Sequence, residues 1–304
     1  MIRLAVRVRR EQAELVLAEL LELVPAGVEE VQVAGGSIEY AVYGAPGELP
    51  SLPDLNAAVG DALVEISTSE TSDDWRERWK RFHRPVLIEP PVLRVDSQRV
   101  GVEALRVPAL HVRPPWEPSS VPRDEGVEEI VIDPGQAFGT GGHATTRLCL
   151  ELLLELAAAQ PPAGPLLDVG TGSGVLAIAA ARLGFAPVLG LDHERESVEA
   201  ARANAAVNDV NIEVRHFDLR TQALPWLDQV DRPPGAVVIV ANLLRPLLLE
   251  LASTMPHAPA HLLAGGLLGE EVEEVTRAFA DRLSLRTREQ RHGGEWAAVW
   301  LTAS

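Results

Sequence analysis

The stretch Pro165-Leu166-Leu167-Asp168-Val169-Gly170-Thr171-Gly172-Ser173-Gly174, continued by the apolar run Val175 to Leu183, decides how this chain folds. Its first five residues read as a short buried strand and the run that follows as a helix. The glycines between them allow a sharp turn and the close approach of a ligand where a Cβ would collide, while the helix start presents free N–H groups. A second buried run, Val188-Leu189-Gly190-Leu191, ends in Asp192. Strand, glycine loop, helix, strand and terminal acid form one βαβ unit, the building block of a doubly wound α/β domain.

Asp192 lies 22 residues beyond Gly170, at a strand end where a carboxylate accepts hydrogen bonds from both hydroxyls of a ribose. That pairing implies adenosine recognition. A dinucleotide site would space its glycines as G-x-G-x-x-G and rest a pyrophosphate on the helix N-terminus. Here the order is Asp168-x-Gly170-x-Gly172-x-Gly174, and an acid beside the loop repels a pyrophosphate. S-adenosylmethionine carries a sulfonium and an ammonium and no phosphate, so the charge pattern selects this methyl donor over NAD. Farther along, His216-Phe217-Asp218 ends an extended segment, placing Asp218 either to reach the adenine amino group or to cap a loop. The buried run Ala236-Val237-Val238-Ile239-Val240 then delivers Ala241-Asn242-Leu243-Leu244 to the carboxyl end of the sheet, beside the cofactor.

Upstream the pattern changes. Ile2, Leu4, Val6 and Val8 alternate with Arg or Ala as in a half-buried strand. Ala13, Val16, Leu17, Leu20 and Val24 mark one helix face, which Pro25-Ala26-Gly27 ends. Strands over 28–33 and 38–43 joined through Ala34-Gly35-Gly36-Ser37, a short helix over 55–63 and a strand over 64–68 complete β-α-β-β-α-β. This is the ferredoxin-like order. Residues 72–82 place Trp75, Trp79 and Phe82 on one helical stripe, as in a rigid connecting helix. From Pro85 to Gly126, prolines interrupt short extended stretches and imply edge strands and loops. The expected division is a small α+β domain over 1–69, a linker helix over 70–84 and the doubly wound domain over 85–304.

A chain of 304 residues is longer than one core usually grows, which agrees with two domains. No apolar stretch is long enough for a transmembrane helix, and the charged, alternating start does not form the core of a secretion signal, so a cytoplasmic location is expected. Cys149 is the sole cysteine, in the apolar helical run Arg147-Leu148-Cys149-Leu150, and reads as a buried thiol; no disulfide within the chain, no cysteine-based zinc site and no other metal site is expected. The net charge of −17 repels phosphate backbones, argues against a stand-alone nucleic-acid binder and favours a basic protein as partner.

Several longer motifs are more specific than any glycine loop. They are Asp74-Trp75-Arg76-Glu77-Arg78-Trp79-Lys80, Asp133-Pro134-Gly135-Gln136-Ala137-Phe138-Gly139-Thr140-Gly141-Gly142-His143-Ala144-Thr145-Thr146, Val240-Ala241-Asn242-Leu243-Leu244, Leu263-Ala264-Gly265-Gly266-Leu267-Leu268 and Gly294-Glu295-Trp296. With the loop from Asp168 to Gly174, they make the chain resemble, over nearly its whole length, the bacterial methyltransferases that modify large-subunit ribosomal protein L11. The resemblance implies a ferredoxin-like domain that grips the ribosomal protein, a helical linker and a class I methyltransferase domain. It also implies methylation of lysine side chains and of the N-terminal α-amine. The chain is expected to act as a monomer. The cofactor contacts it carries over are Thr146, Gly170, Asp192 and Asn242, to which Phe138, Thr145, Asp168, Gly172, Gly174 and Asp218 are added as candidates. Gly142-His143-Ala144 replaces the family's more usual Thr-His-Pro, and the region from Val95 to Leu110 is longer than in relatives.

Asn242 is expected to orient the acceptor amine, and the segment from Phe138 to Thr146 to close over the donor. His143 is a candidate either to take up a proton or to hold its loop by hydrogen bonds. Enzymes acting on a nucleobase or a glutamine amide commonly follow this strand-end residue with Pro-Pro and a stacking aromatic. Leu243-Leu244-Arg245 stand there instead. A cofactor-binding scaffold without catalysis would be expected to lose Asp192 or Asn242, and both are present.

Overall fold

The computed structural model describes residues 2–13, 16–17, 20, 28–33, 37–44, 49–50, 55, 59–70, 83–91, 107–119, 126–134, 142–160, 162, 164–226 and 237–303. The connecting helix expected over 72–82, the turn at 34–36, most of the segment from Val95 to Leu110 and Phe138 with residues 135–141 lie outside them. The chain forms two compact units, Met1–Phe82 and His83–Ser304.

In the first unit, β1 (Ile2–Arg9) lies between β3 (Ser37–Gly44) and β4 (Leu63–Glu70), with β2 (Glu29–Val33) outside β3. Every pairing is antiparallel. The period-two pattern sends Leu4, Val6, Val8, Ile38, Tyr40 and Val42 to one face, where Val16, Leu20, Leu55 and Val59 cover them. The Tyr40 hydroxyl donates to the Ala13 carbonyl at 2.9 Å, which satisfies the one polar atom of that buried ring. On the other face Glu39 accepts from Arg3 at 2.6 Å and from Arg7 at 2.8 Å. These contacts, led by that of Arg3, hold the Glu39 carboxyl below its ordinary range.

The second unit opens with a three-stranded sheet of β5 (Val86–Ile88), β6 (Ala109–Arg113) and β7 (Val127–Val131), antiparallel and then parallel. Ile88, Leu110, Val112 and Ile130 of these strands join the core of the main domain, so the three strands are part of that domain's wall. The main sheet has the order β10-β9-β8-β11-β12-β14-β13. Its strands are β8 (Leu166–Val169), β9 (Val188–Asp192), β10 (Glu213–His216), β11 (Val238–Asn242), β12 (His261–Leu268), β13 (Arg286–Gly293) and β14 (Trp296–Thr302). Strands β8 to β12 pair in parallel, and β14 runs antiparallel to both neighbours.

The inner strands β8, β9, β11, β12 and β14 are apolar on both faces, as a sheet sandwiched between helices requires, while the edge strands β10 and β13 are mostly polar. Leu166, Val238, Val240, Leu263 and Trp300 meet α1 (Ala144–Ala159) and α2 (Val175–Arg182). Leu167, Val169, Ile239, Ala241 and Val299 meet α4 (Arg245–Thr254) and α5 (Val272–Leu283). The remaining helix, α3 (Arg195–Val207), connects β9 and β10. Cys149 is fully buried on α1, and burial pushes its thiol pKa up, as befits a packing residue. Asn242 is the last residue of β11. Among the described residues no helix is long and apolar enough to cross a membrane.

Phe279 is fully buried between α5 and the sheet. Phe279→Ala is expected to lower the stability of this unit by about 3–5 kcal/mol, read as a lower midpoint in urea. A loss under about 1 kcal/mol would mean that the α5 face is not packed as described.

Candidate active site

The glycine loop has left-handed backbone at three positions, Gly170, Gly172 and Gly174, with φ of 75°, 51° and 84°. Side chains with a Cβ strain there. The N–H groups of Gly170 and Thr171 donate to the Leu191 carbonyl at 2.8 and 2.9 Å, which ties the loop to the end of β9. A Cβ on Gly174 would lie 3.1 Å from the Ala201 Cβ, so α3 packs directly on the loop. Asp168 is fully buried. Its Oδ2 accepts from the Thr171 hydroxyl at 2.7 Å and from the Ala177 N–H at 3.1 Å, while Oδ1 has no partner. Burial drives its pKa up to about 7; the Thr171 and Ala177 bonds oppose the shift and nearby Asp192 adds to it.

Asp192 braces the same loop. Its Oδ2 accepts the Gly172 N–H at 2.8 Å and its Oδ1 the Glu194 N–H at 3.0 Å. Each oxygen keeps a lone pair for a further donor. Beside it a cavity of about 280 Å³ is walled by Gly170, Phe217, Asp218, Leu219, Leu243 and Leu247. Asp218 Oδ1 caps its own turn through the Arg220 N–H at 2.9 Å, and the residue borders the cavity. A larger hollow of about 800 Å³ lies at the amino ends of β9 and β10, between Arg182, Phe185, Asp209, Glu213 and Trp226. None of the expected site residues lines it, and ligands of open α/β sheets bind at the carboxyl ends. The smaller cavity is the candidate site.

On the other side of β8, Asn242 Nδ2 donates to the Thr146 hydroxyl at 3.3 Å, which joins α1 to the end of β11. Asn242 Oδ1 is buried without a partner. Thr145 and Thr146 are buried. His143 is the N-cap of α1: its Nδ1 accepts the Thr145 N–H at 3.4 Å and lies 2.9 Å from the Thr145 hydroxyl. The ring meets Trp296 edge-on at 5.2 Å, and burial lowers its pKa.

The reason for the Gly265-Gly266 pair appears only in three dimensions. A Cβ on Gly265 would overlap Cys149 Sγ and approach Asn242 Oδ1 at 3.2 Å, and one on Gly266 would overlap the Leu243 carbonyl. Paired glycines in a buried strand signal such close backbone approach. Phe217, Leu219, Leu243 and Leu247, which wall the cavity, were not singled out by the sequence, since apolar residues at such spacing equally describe a core. Among the described residues no group of three or more His, Cys, Asp or Glu is placed to hold a metal ion.

The donor set fits a cationic nucleoside. Two buried oxygens without donors, Asp168 Oδ1 and Asn242 Oδ1, stand at the ends of the adjacent strands β8 and β11. The cavity with its apolar walls and the Asp192 carboxylate begins at their chain neighbours Val169, Gly170 and Leu243.

Asp168 also makes a prediction about pH. Between its ordinary value of 3.8 and about 7, the folded chain keeps a proton that the unfolded chain has released. Stability contributed by this group is therefore greatest at low pH and falls as pH rises through that window. Asp168→Asn is expected to gain on the order of 2–4 kcal/mol over the wild type between pH 4 and pH 7.5, in paired urea melts. A pH-independent difference would contradict a protonated buried carboxyl.

Comparison with known proteins bears on this geometry. Residues 54–303 match the family model described as ribosomal protein L11 methyltransferase (PrmA). The chain is 38% identical over 241 residues to a ribosomal protein L11 methyltransferase of Pelobacter propionicus, covering 77% of this chain and 68% of the relative. It is 31% identical to that of Heliobacterium modesticaldum, over 97% of this chain and 95% of the relative. A crystal structure of a ribosomal protein L11 methylase from Lactobacillus delbrueckii subsp. bulgaricus matches with a TM-score of 0.53 and 33% identity, over 64% of this chain and 95% of that one. The doubly wound unit is thus a class I methyltransferase fold, and the chain belongs to the ribosomal protein L11 methyltransferase family.

Proposed function

We propose that this methyltransferase transfers methyl groups from S-adenosylmethionine to amino groups of ribosomal protein L11, namely lysine side chains and the N-terminal α-amine. The observation that carries the reading is the divided amide of Asn242. Its Nδ2 is committed to Thr146 while its buried Oδ1 lacks a donor. A buried acceptor left unpaired costs about 1–3 kcal/mol, and an amine N–H arriving at that point recovers it. The same contact would aim the nitrogen lone pair.

When bound, S-adenosylmethionine supplies a methyl carbon on a cationic sulfonium, open to in-line displacement. The chain's own residues do the remaining work. Asp192 would accept from the ribose hydroxyls, with Phe217, Leu219, Leu243 and Leu247 enclosing the adenine beside Asp218. Gly170, Gly172 and Gly174 would leave room for the rest of the molecule, with Asp168 beneath them and Thr145 and Thr146 completing its surroundings. A lysine of ordinary pKa about 10.4 needs about 4–5 kcal/mol to lose its proton at neutral pH. Desolvation of the amine lowers that cost, and alignment by Asn242 accounts for much of the acceleration. The contacts of His143 Nδ1 with Thr145 support the loop-holding role for this residue over the proton-accepting one.

The strand order of the first unit, β2-β3-β1-β4 with all pairs antiparallel, supports a ferredoxin-like domain over 1–69 that grips the ribosomal protein. A linker over 70–84 and the catalytic domain over 85–304 complete the division. Net charge −17 suits a basic protein partner better than nucleic acid. We take the enzyme to work as a cytoplasmic monomer.

Transfer of radiolabelled methyl groups to purified ribosomal protein L11, followed by mass spectrometry, tests the reading. Methyl groups are expected on lysines and the α-amine, and Asn242→Ala is expected to lower kcat by about a hundredfold. Labelling of RNA or of another protein, with none on ribosomal protein L11, would overturn the substrate.

A further inference from the structure

Two asparagines four residues apart, Asn204 on α3 and Asn208 capping its C-terminus, are nearly inaccessible, at 3% and 4% exposure. Buried amides are costly unless every polar atom is matched, and these two are matched differently. Asn208 Oδ1 accepts the Val131 N–H at 2.8 Å, and its Nδ2 donates to the Val131 carbonyl at 2.7 Å and to the Asn204 carbonyl at 2.8 Å. It closes the edge of β7 as a neighbouring strand would. Asn204 Oδ1 accepts the Asp133 N–H at 3.0 Å, while its Nδ2 donates to the Ser173 carbonyl at 2.8 Å and lies 3.4 Å from the Asp133 carbonyl. One side chain thus spans the glycine loop and the strand end that leads into α1.

We propose that Asn204 is a positioning residue of the cofactor site. Acting through the Ser173 carbonyl, it holds the glycine loop in register with Asp133, just beyond the end of β7. The inference rests on the reading that S-adenosylmethionine is held at that loop. Three features make the site sensitive to this one amide. A Cβ on Gly174 would come within 3.1 Å of the Ala201 Cβ on the same helix, so α3 lies against the loop with no room for a side chain between them. The loop backbone has left-handed φ at three positions and needs outside contacts to keep that shape. An amide also joins a donor to an acceptor, whereas an ionised aspartate accepts only. Asn204→Asp keeps the bond from the Asp133 N–H but sets an oxygen against the Ser173 carbonyl.

The test is calorimetric binding of S-adenosylhomocysteine to the wild-type chain and to Asn204→Asp, Asn204→Ala and Asn208→Ala, with thermal melts and kcat at saturating methyl donor. Both Asn204 variants are expected to weaken binding about tenfold, with kcat within about threefold of wild type. Asn208→Ala is expected to lower the melting temperature while its Kd stays within about twofold, because its bonds do not reach the loop. Should the aspartate variant fail to melt cooperatively, the alanine variant supplies the same comparison. Wild-type affinity in the Asn204 variants, or equal weakening by Asn208→Ala, would overturn the inference by reducing Asn204 to a purely structural residue. A wild-type chain that does not bind the ligand would instead overturn the cofactor reading on which the inference rests.

Discussion

A parallel sheet that winds outward in two directions from one strand leaves a cleft at the point of reversal, because the connections on either side turn away from each other. In this chain the reversal lies between β8 and β11, which are neighbours in the sheet although β9 and β10 come between them in sequence. Everything chemical is gathered at the carboxyl end of that pair. The glycine loop follows β8, Asn242 ends β11, and Asp192 ends β9 on the far side of β8.

Holding this cleft open has an electrostatic cost that the surrounding contacts partly offset. Asp168 lies in a site that favours its neutral form, while Asp192 is stabilised by two backbone N–H donors. A cation brought near them would favour the ionised form of Asp168 and relieve the penalty of its unpartnered oxygen. The opposite end of the sheet shows that volume alone does not mark a site. Its hollow is larger, yet it holds none of the strand-end polar groups.

Legibility in the sequence followed distance along the chain. The unit from Leu166 to Asp192 could be read because strand, loop, helix and acid are contiguous, and each residue type has a local reason. The alternation in β1 and the helix face through Ala13, Val16 and Leu20 were readable for the same cause, since period and burial are set within one element. The three-stranded sheet β5-β6-β7 was not, because its strands are short and proline-flanked and owe their pairing to a core built elsewhere. Asn204 meets Asp133 across 71 positions, and no pattern local to α3 announces it. Gly265 and Gly266 stood out as a motif, but their reason, the passage of β12 behind Asn242 and Leu243, required the sheet.

Hydrogen–deuterium exchange with and without S-adenosylhomocysteine tests most directly the claim that the cleft at the strand reversal is the cofactor site. Peptides covering 168–174, 190–194 and 216–220 are expected to exchange more slowly with ligand, and peptides covering 181–188 and 209–214 to remain unchanged. Protection of the second pair with none in the first would place the ligand in the larger hollow at the amino end of the sheet and contradict the account.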